Sequence, residues 1–249
     1  MAVDGRAEEP GSYRPQAVVF DCDGVIADTV AAWDETFVEV AVRHGLTLLP
    51  EHLVRLRGSA IKPASQLFGR WLGGSSSPEI LAKELNEQLL FSLGAAQIAP
   101  LEGLADLLAK LSGVVPMAVA SNAPRRAVLK VLARLELTAC FSALVSADDV
   151  ARPKPAAEPY RLACAALDVD PARSVAIEDS AIGAQSAEAA GMSVVKVGTV
   201  PWTTNGQVVR GPVLQVSTLS DPRLAPLILG PFGTGTPTPG PHDERPRGR

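Results

Sequence analysis

The stretch that decides the fold is Ala17-Val18-Val19-Phe20-Asp21-Cys22-Asp23-Gly24-Val25-Ile26-Ala27-Asp28-Thr29. It begins as a short apolar run of β-forming residues and turns abruptly acidic at Asp21 and Asp23. Such a run, followed by polar residues and a glycine, predicts a buried strand that ends in a tight loop. Two carboxylates so placed can bind a divalent cation, and one of them can attack phosphorus.

Beyond this stretch, short β-rich runs alternate with amphipathic helical patterns. This alternation is typical of a parallel sheet covered by helices on both faces. The predicted fold class is therefore α/β, with a doubly wound, Rossmann-like parallel sheet as its core. The predicted strands are Ala17–Phe20, Met117–Ala120, Ala143–Val145, Ser174–Ile177, Val194–Val197 and Val213–Val216, and the predicted helices of the core are Leu104–Leu111, Arg125–Leu135, Glu158–Leu167 and Ala181–Ala190.

The connection from the first strand to Met117 is far longer than a crossover helix requires. Helical patterns at Asp28–His44 and Glu79–Phe91, joined by a Gly/Ser-rich loop, predict an inserted small α-helical cap. The predicted domains are an α/β core of residues 16–29 and 99–228 and a cap of residues 30–98. Residues 1–15 and 229–249 are rich in Gly, Pro and charge, which predicts a disordered leader and a disordered tail.

Composition narrows the classes of partner. The 249 residues are 47% hydrophobic and carry a formal net charge of -4 without a basic stripe, which favours small solutes over nucleic acid. No apolar run reaches membrane-spanning length, so no membrane partner is expected. Three cysteines without CxxC spacing, and no apolar leader, predict a reduced, cytoplasmic protein. Neither composition nor charge determines the oligomeric state.

Polar residues follow several of the predicted strands, at the edge where ligands bind in open parallel sheets. Carboxylates suit a hard cation, a hydroxyl and an amide suit phosphate oxygens, and an ammonium supplies a fixed positive charge. We therefore expect these side chains to form one site. They are Asp21, Asp23, Ser121, Asn122, Lys154, Glu178 and Asp179.

At these positions the sequence resembles the haloacid dehalogenase-like superfamily of aspartate-dependent phosphotransferases. The likeness is to its phosphatase and phosphomutase branch with a helical cap, and it extends over about residues 17–219. Each motif is common alone, whereas all of them in order at successive strand ends are specific. The motifs are Asp21-Cys22-Asp23-Gly24-Val25 with Asp28-Thr29, Ser121-Asn122, Lys154-Pro155 with Tyr160, and Glu178-Asp179-Ser180 with Gly183.

The resemblance implies a role for each of these residues. Asp21 would be the nucleophile that forms an aspartyl-phosphate, and Asp23 would be the general acid and base. Ser121, Asn122 and Lys154 would bind the phosphate oxygens. The implied ligands of Mg²⁺ are Asp21, the backbone carbonyl of Asp23, Glu178 and Asp179.

The implied activity is hydrolysis of a small phosphomonoester, such as a sugar phosphate. The alternative is a sugar phosphomutase of the β-phosphoglucomutase type, which carries a histidine where this chain has Trp33 and a cap arginine where it has Ile61. Arg57 and Lys62 could supply part of the positive charge that a mutase needs in its cap. A remoter alternative is a catalytically silent binding module, against which the complete set of acids argues.

Within the cap, Arg57-Gly58-Ser59 is the candidate for substrate contact, since a glycine beside a cation lets the backbone approach a polar ligand. The alternative is a solvated loop. Trp33 is interpreted as cap packing, and Cys22 is expected to point into the core. Asp148 and Asp149 are interpreted as a solvated turn outside the site.

Overall fold

The computed structural model describes residues 12–199, 203–204, 207–208, 213–230 and 232–233. The predicted leader (1–15) and tail (229–249) fall mostly outside these residues, and their disorder stays a prediction. The helices are α1 Val30–Arg43, α2 Pro50–Leu56, α3 Ile61–Trp71, α4 Pro78–Ala95, α5 Leu104–Leu111, α6 Arg125–Arg134, α7 Glu158–Ala166, α8 Ala181–Ala190 and α9 Leu224–Leu229. The strands are β1 Ser12–Tyr13, β2 Val18–Phe20, β3 Met117–Ala120, β4 Ala143–Val145, β5 Val175–Glu178, β6 Ser193–Val197, β7 Thr203–Thr204, β8 Gln207–Val208, β9 Leu214–Val216 and β10 Phe232–Gly233.

Six of these strands form one parallel sheet in the order β4-β3-β2-β5-β6-β9. Strand β2 lies between β3 and β5, with Val18 opposite both Met117 and Val175. The predicted α/β fold is confirmed, and all six predicted strands are present within a residue or so of their predicted ends. The acidic loop after β2 consequently starts near the middle of the sheet.

Alternation along β2 explains why the sheet is covered on both faces. Val18 and Phe20 pack in the cluster that contains α5, α6 and α9, whereas Val19 packs in the opposite cluster with α7 and α8. All three side chains are fully buried. Each such burial stabilises the fold by roughly 1.5–3 kcal/mol, so the strand that carries the acidic loop is firmly held. Cys22 is 1% exposed, as predicted.

Helices α1 to α4 form the segment inserted between β2 and α5. Helix α4 begins at Pro78 and is capped by Ser77, whose Oγ accepts a hydrogen bond from the Ile80 amide. Its leucines at every fourth position are buried, which explains how α4 packs against α1 and α3. The sequence did not predict α2 and α3, whose first turns contain Pro50 and Pro63, residues that a first turn tolerates.

These four helices lie within residues 30–98, the predicted cap, although its boundaries stay a prediction. None of the described helices is both long enough and apolar enough to cross a bilayer. The predicted cytoplasmic location and the predicted lack of nucleic-acid and membrane partners stay predictions.

Candidate active site

The loop after β2 brings Asp21 and Asp23 to the carboxyl edge of the sheet. The Asp21 amide donates to the Ile177 carbonyl at 3.0 Å, which ties the start of the loop to β5. The Thr29 hydroxyl donates to Asp23 Oδ1 at 2.5 Å. Gly24 has φ of +81°, and a Cβ there would lie 2.1 Å from Asp179 Oδ2. Glycine is therefore required both for the turn and for the close approach of Asp179.

Lys154 lies at the centre of the charges. Its Nζ donates to Asp21 Oδ1 and to Glu178 Oε1, both at 2.6 Å, and its side chain is 3% exposed. Burial acts to lower the pKa of Lys154, but the carboxylates of Asp21 and Glu178 outweigh it and raise that pKa above its ordinary value. The ammonium therefore stays charged and holds Asp21 in one orientation.

The Glu178 carboxylate is fully buried and receives hydrogen bonds on both oxygens. Oε1 accepts from Lys154 and from the Tyr160 hydroxyl at 2.5 Å, and Oε2 accepts from the Ser180 hydroxyl at 3.1 Å. A Cβ at Gly183 would lie 1.9 Å from Oε1. Because Gly183 has no side chain, the first turn of α8 leaves room for this carboxylate.

Oxygen atoms of Asp21, Glu178 and Asp179 lie within 4.8 Å of one another. Burial, and then repulsion from Glu178, raises the pKa of Asp179 to about 7. Burial also raises the pKa of Asp21, although Lys154 opposes the shift. Three close carboxylates facing one ammonium leave an excess of negative charge and of hard oxygen donors, so this group fits a divalent cation. The carboxylate of Asp23 lies outside this group, and its predicted contribution was the backbone carbonyl.

Ser121 and Asn122, which are predicted to bind phosphate, make hydrogen bonds to other parts of the protein. The fully buried Ser121 hydroxyl accepts from the Ala123 amide at 3.0 Å. Asn122 Oδ1 accepts from the Lys154 amide at 2.8 Å, and Asn122 Nδ2 donates to the Gly58 carbonyl at 2.7 Å. Asn122 therefore joins the core, the loop that carries Lys154, and the cap.

A cleft lies between the core and the cap, with about 660 Å³ of empty space, its open mouth included. The predicted segment Arg57-Gly58-Ser59 lies on its cap wall. The core wall is formed by Asp21, Asp23, Asn122, Ala123, Lys154, Asp179 and Ser180.

Asp148 and Asp149 lie elsewhere, at the start of α6. Asp148 Oδ2 accepts from the Arg125 amide and Asp149 Oδ1 from the Arg125 guanidinium, both at 2.8 Å. They support a helix terminus, and neither lines the cleft.

This arrangement can be compared with known proteins. Residues 18–197 match the family model of the haloacid dehalogenase-like hydrolases. The chain belongs to this family. The resemblance that the four motifs indicated, over about residues 17–219, is therefore confirmed for most of that range.

Relatives of this haloacid dehalogenase-like hydrolase include phosphatases. It is 32% identical over 184 residues to the fructose-1-phosphate phosphatase YqaB of Escherichia coli, covering 74% of this chain and 97% of that protein. It is 29% identical over 187 residues to the 6-phosphogluconate phosphatase of the same organism, covering 73% and 81%. These relatives bear out the prediction of a phosphoric monoester hydrolase.

Solved structures agree on the fold of the hydrolase. CbbY from Rhodobacter sphaeroides, in complex with phosphate, superposes with a TM-score of 0.71 at 24% identity and covers 83% of this chain and 96% of that one. A putative β-phosphoglucomutase from Thermotoga maritima superposes with a TM-score of 0.61 at 28% identity, covering 81% and 94%. The first likeness supports the fold alone.

Several cap residues of the hydrolase that face the cleft were not predicted to do so. Trp33 packs beside Phe37, with ring centroids 5.6 Å apart, and it also lines the cleft. Its interpretation as packing alone was therefore incomplete. Asp34 accepts from Arg57 Nη2 at 2.7 Å. The missed signal is that Val30, Trp33, Asp34 and Phe37, at helical spacing on α1, all line the cleft.

Proposed function

We propose that this hydrolase removes phosphate from a small phosphomonoester, such as a sugar phosphate, through Asp21. The names of the relatives, a fructose-1-phosphate phosphatase and a 6-phosphogluconate phosphatase, support this class of substrate. One observation carries the proposal. It is the Asp21 carboxylate, held by Lys154 at 2.6 Å at the bottom of the cleft, with Asp23 two residues away on the same wall.

In the first half of the reaction, a carboxylate oxygen of Asp21 attacks phosphorus and the bond from phosphorus to the ester oxygen breaks. Because Lys154 holds Oδ1, we assign the attack to Oδ2. Asp23 gives its proton to the leaving alkoxide, which departs as an alcohol. Burial raises the pKa of Asp23 above its ordinary value, although the hydrogen bond from Thr29 opposes the shift, and a raised pKa suits a proton donor.

In the second half, a water molecule attacks the phosphorus of the aspartyl-phosphate. Asp23, now ionised, takes a proton from that water, and the bond from phosphorus to Asp21 breaks. Inorganic phosphate and the original carboxylate result. Lys154, together with the hydroxyl of Ser121 and the amide of Asn122, is proposed to bind phosphate oxygens, which requires those two groups to rearrange from their present contacts.

We assign the cation site to Asp21, Glu178, Asp179 and the backbone carbonyl of Asp23. A bound Mg²⁺ would neutralise charge on the transferring phosphoryl group. Among these residues, Glu178 already accepts three hydrogen bonds shorter than 3.2 Å from the protein. Its main proposed task is therefore to position Lys154, while Asp21 and Asp179 carry more of the contact with the cation.

The mutase alternative is supported by the likeness to the putative β-phosphoglucomutase from Thermotoga maritima. A mutase must hold a second phosphate in its cap, which requires cationic side chains there. Trp33 stands at the position of the mutase histidine, and Ile61, at the position of the mutase arginine, is 6% exposed. Arg57 is already paired with Asp34. These residues favour a phosphatase.

The test is phosphate release from a panel of phosphorylated metabolites with Mg²⁺ present. We expect the wild type to release phosphate from at least one sugar phosphate, and Asp21→Asn to lower kcat by at least about a thousandfold while remaining folded. Removal of the cation by a chelator should abolish release, and added Mg²⁺ should restore it. No turnover of any substrate, or wild-type turnover by Asp21→Asn, would refute the proposal.

A second measurement separates phosphatase from mutase. β-Glucose 1-phosphate is supplied with a bisphosphate primer, and the glucose 6-phosphate formed is compared with the inorganic phosphate released. We expect release of phosphate to dominate. Formation of the 6-phosphate without release would instead identify a mutase.

A further inference from the structure

The cap wall of the cleft carries an ion pair. Asp34, on α1, and Arg57, in the loop after α2, both line the cleft, and Asp34 Oδ2 accepts from Arg57 Nη2 at 2.7 Å. The Asp34 side chain is 24% exposed and that of Arg57 is 52% exposed. The other carboxylate oxygen, Asp34 Oδ1, is buried and has no hydrogen-bond donor among the described residues. The two charges of the pair therefore balance, but Asp34 Oδ1 lacks a hydrogen bond.

The charges on the cap wall determine which substrate groups can bind beside it. Of the described residues that line the cleft, Arg57 and Lys154 are those with positive charge. Lys154 is held between Asp21 and Glu178, and Arg57 is neutralised by Asp34. A second phosphate or carboxylate on the substrate would therefore meet a cap wall whose charges already balance, with no uncompensated cation to offset the loss of its hydration.

An uncharged polyol meets no such penalty. Its hydroxyl groups are donors, and the Asp34 carboxylate, whose side chain is 24% exposed, is an acceptor. The ring of Trp33, three positions from Val30 on α1 and packed against the buried Phe37, offers apolar surface for the C–H face of a sugar. The wall therefore combines an acceptor for hydroxyl groups with an aromatic platform.

We propose that Asp34 determines specificity in this cleft: it selects substrates whose end away from the phosphate is an uncharged polyol and rejects those with a second anionic group there. This inference rests on the proposed function, because it concerns the substrate of the same site. It assigns Asp34 to positioning and selection and gives it no part in the chemistry.

The test uses two ligands that differ by one phosphate, fructose 1-phosphate and fructose 1,6-bisphosphate. The quantity measured is the ratio of their kcat/KM values, bisphosphate over monophosphate. Asp34→Asn should raise this ratio at least about tenfold, because Arg57 then becomes an uncompensated cation on the cap wall. Arg57→Gln should lower it, because Asp34 is then left uncompensated. Glu87→Gln, which removes an exposed carboxylate on α4 that lies 3.9 Å from Lys83 Nζ, is the matched control and should leave the ratio unchanged.

The same ratio is measured a second time as equilibrium binding by calorimetry, with Asp21→Asn as the background and Mg²⁺ present. Binding does not require turnover, so it reports on Asp34 even if the proposed hydrolysis is wrong. Opposite shifts of the ratio in Asp34→Asn and Arg57→Gln distinguish selection from a structural role, which would change affinity for both ligands alike. The inference is overturned if Asp34→Asn leaves the ratio unchanged, if both variants shift it in one direction, or if neither ligand binds.

Discussion

Replacing Gly183 by alanine tests whether the space beside Glu178 is required. Gly183 is the third residue of α8, and its amide donates to Ser180 Oγ at 3.0 Å. In an ordinary helix this replacement is favourable by about 0.5–1 kcal/mol, because alanine restricts the unfolded chain. Here the new Cβ would lie 1.9 Å from Oε1 and 2.1 Å from Cδ of Glu178, so the carboxylate must move.

The cost follows from the contacts of Glu178. Moving its carboxylate strains or breaks the bonds from Lys154 at 2.6 Å and Tyr160 at 2.5 Å. Removing one partner of a buried pair costs about 3–5 kcal/mol, and the lower end applies because Lys154 keeps Asp21. After the helical gain, we expect a net loss of about 2 kcal/mol in the free energy of unfolding. For a chain of this size that corresponds to a melting temperature lower by roughly 4–8 °C.

The assay is thermal and urea unfolding of the wild type, Gly183→Ala and a control, with phosphate release measured on the same samples. The control is Gly69→Ala, in the interior of α3, where a Cβ would have its nearest contact at 3.7 Å. Gly69→Ala should be neutral or stabilising by up to about 1 kcal/mol and should keep full activity. Gly183→Ala should lose at least about tenfold in kcat/KM, since Lys154 and Asp21 are no longer held in place.

A Gly183→Ala protein that melts at or above the wild-type temperature would refute this reasoning, because the Glu178 carboxylate would then have moved to another position without loss of stability. Loss of stability with unchanged kcat/KM would refute the narrower claim that Glu178 positions Lys154. Equal destabilisation by Gly69→Ala would show that helix context, and not the carboxylate, sets the effect.

The other predictions concern the remaining contacts of the site. Asp23→Ala should lower kcat/KM for a sugar phosphate by about 10²–10⁴ but lower kcat/KM for p-nitrophenyl phosphate less, because kcat/KM reports formation of the phosphoenzyme and nitrophenolate leaves without a proton; equal losses would contradict its role as acid. Asn122→Ala removes the link from the core to Gly58, so it should raise KM and the protease sensitivity of the cap; unchanged values would exclude a role in holding it. Lys154→Met leaves two buried carboxylates without their ammonium and should cost about 3 kcal/mol or more in urea unfolding, whereas the exposed Lys83→Met should cost less than about 0.5 kcal/mol.

Local pattern was sufficient for the core of the fold. Short apolar runs rich in β-forming residues, and the regular spacing of apolar residues in a helix, are short-range signals. For this reason β2, β3 and α5 were predicted almost to the residue. Helices α2 and α3 were missed, because Pro50 and Pro63 read locally as breaks. Their helical state is stabilised by burial of Leu56 and Phe68 against the rest of the cap, which is a tertiary effect.

The site divides in the same manner. Asp21, Asp23, Lys154 and Asp179 could be proposed from their place after successive strands, since parallel strands end at one edge. The contacts between these side chains could not be predicted from the sequence. Lys154 and Asp21, for example, are 133 positions apart in the chain, yet Lys154 Nζ lies 2.6 Å from Asp21 Oδ1.

The sequence by itself therefore determined the sheet, the presence of a helical insertion and the set of charged groups at one edge of the sheet. Tertiary structure alone decided that Glu178 is enclosed by Lys154, Tyr160 and Gly183, and that Asp34 neutralises Arg57 on the cap wall. The physical reason is range. Propensity and periodicity act within a few residues, whereas charge compensation and the exclusion of a Cβ depend on atoms that only the folded chain brings together.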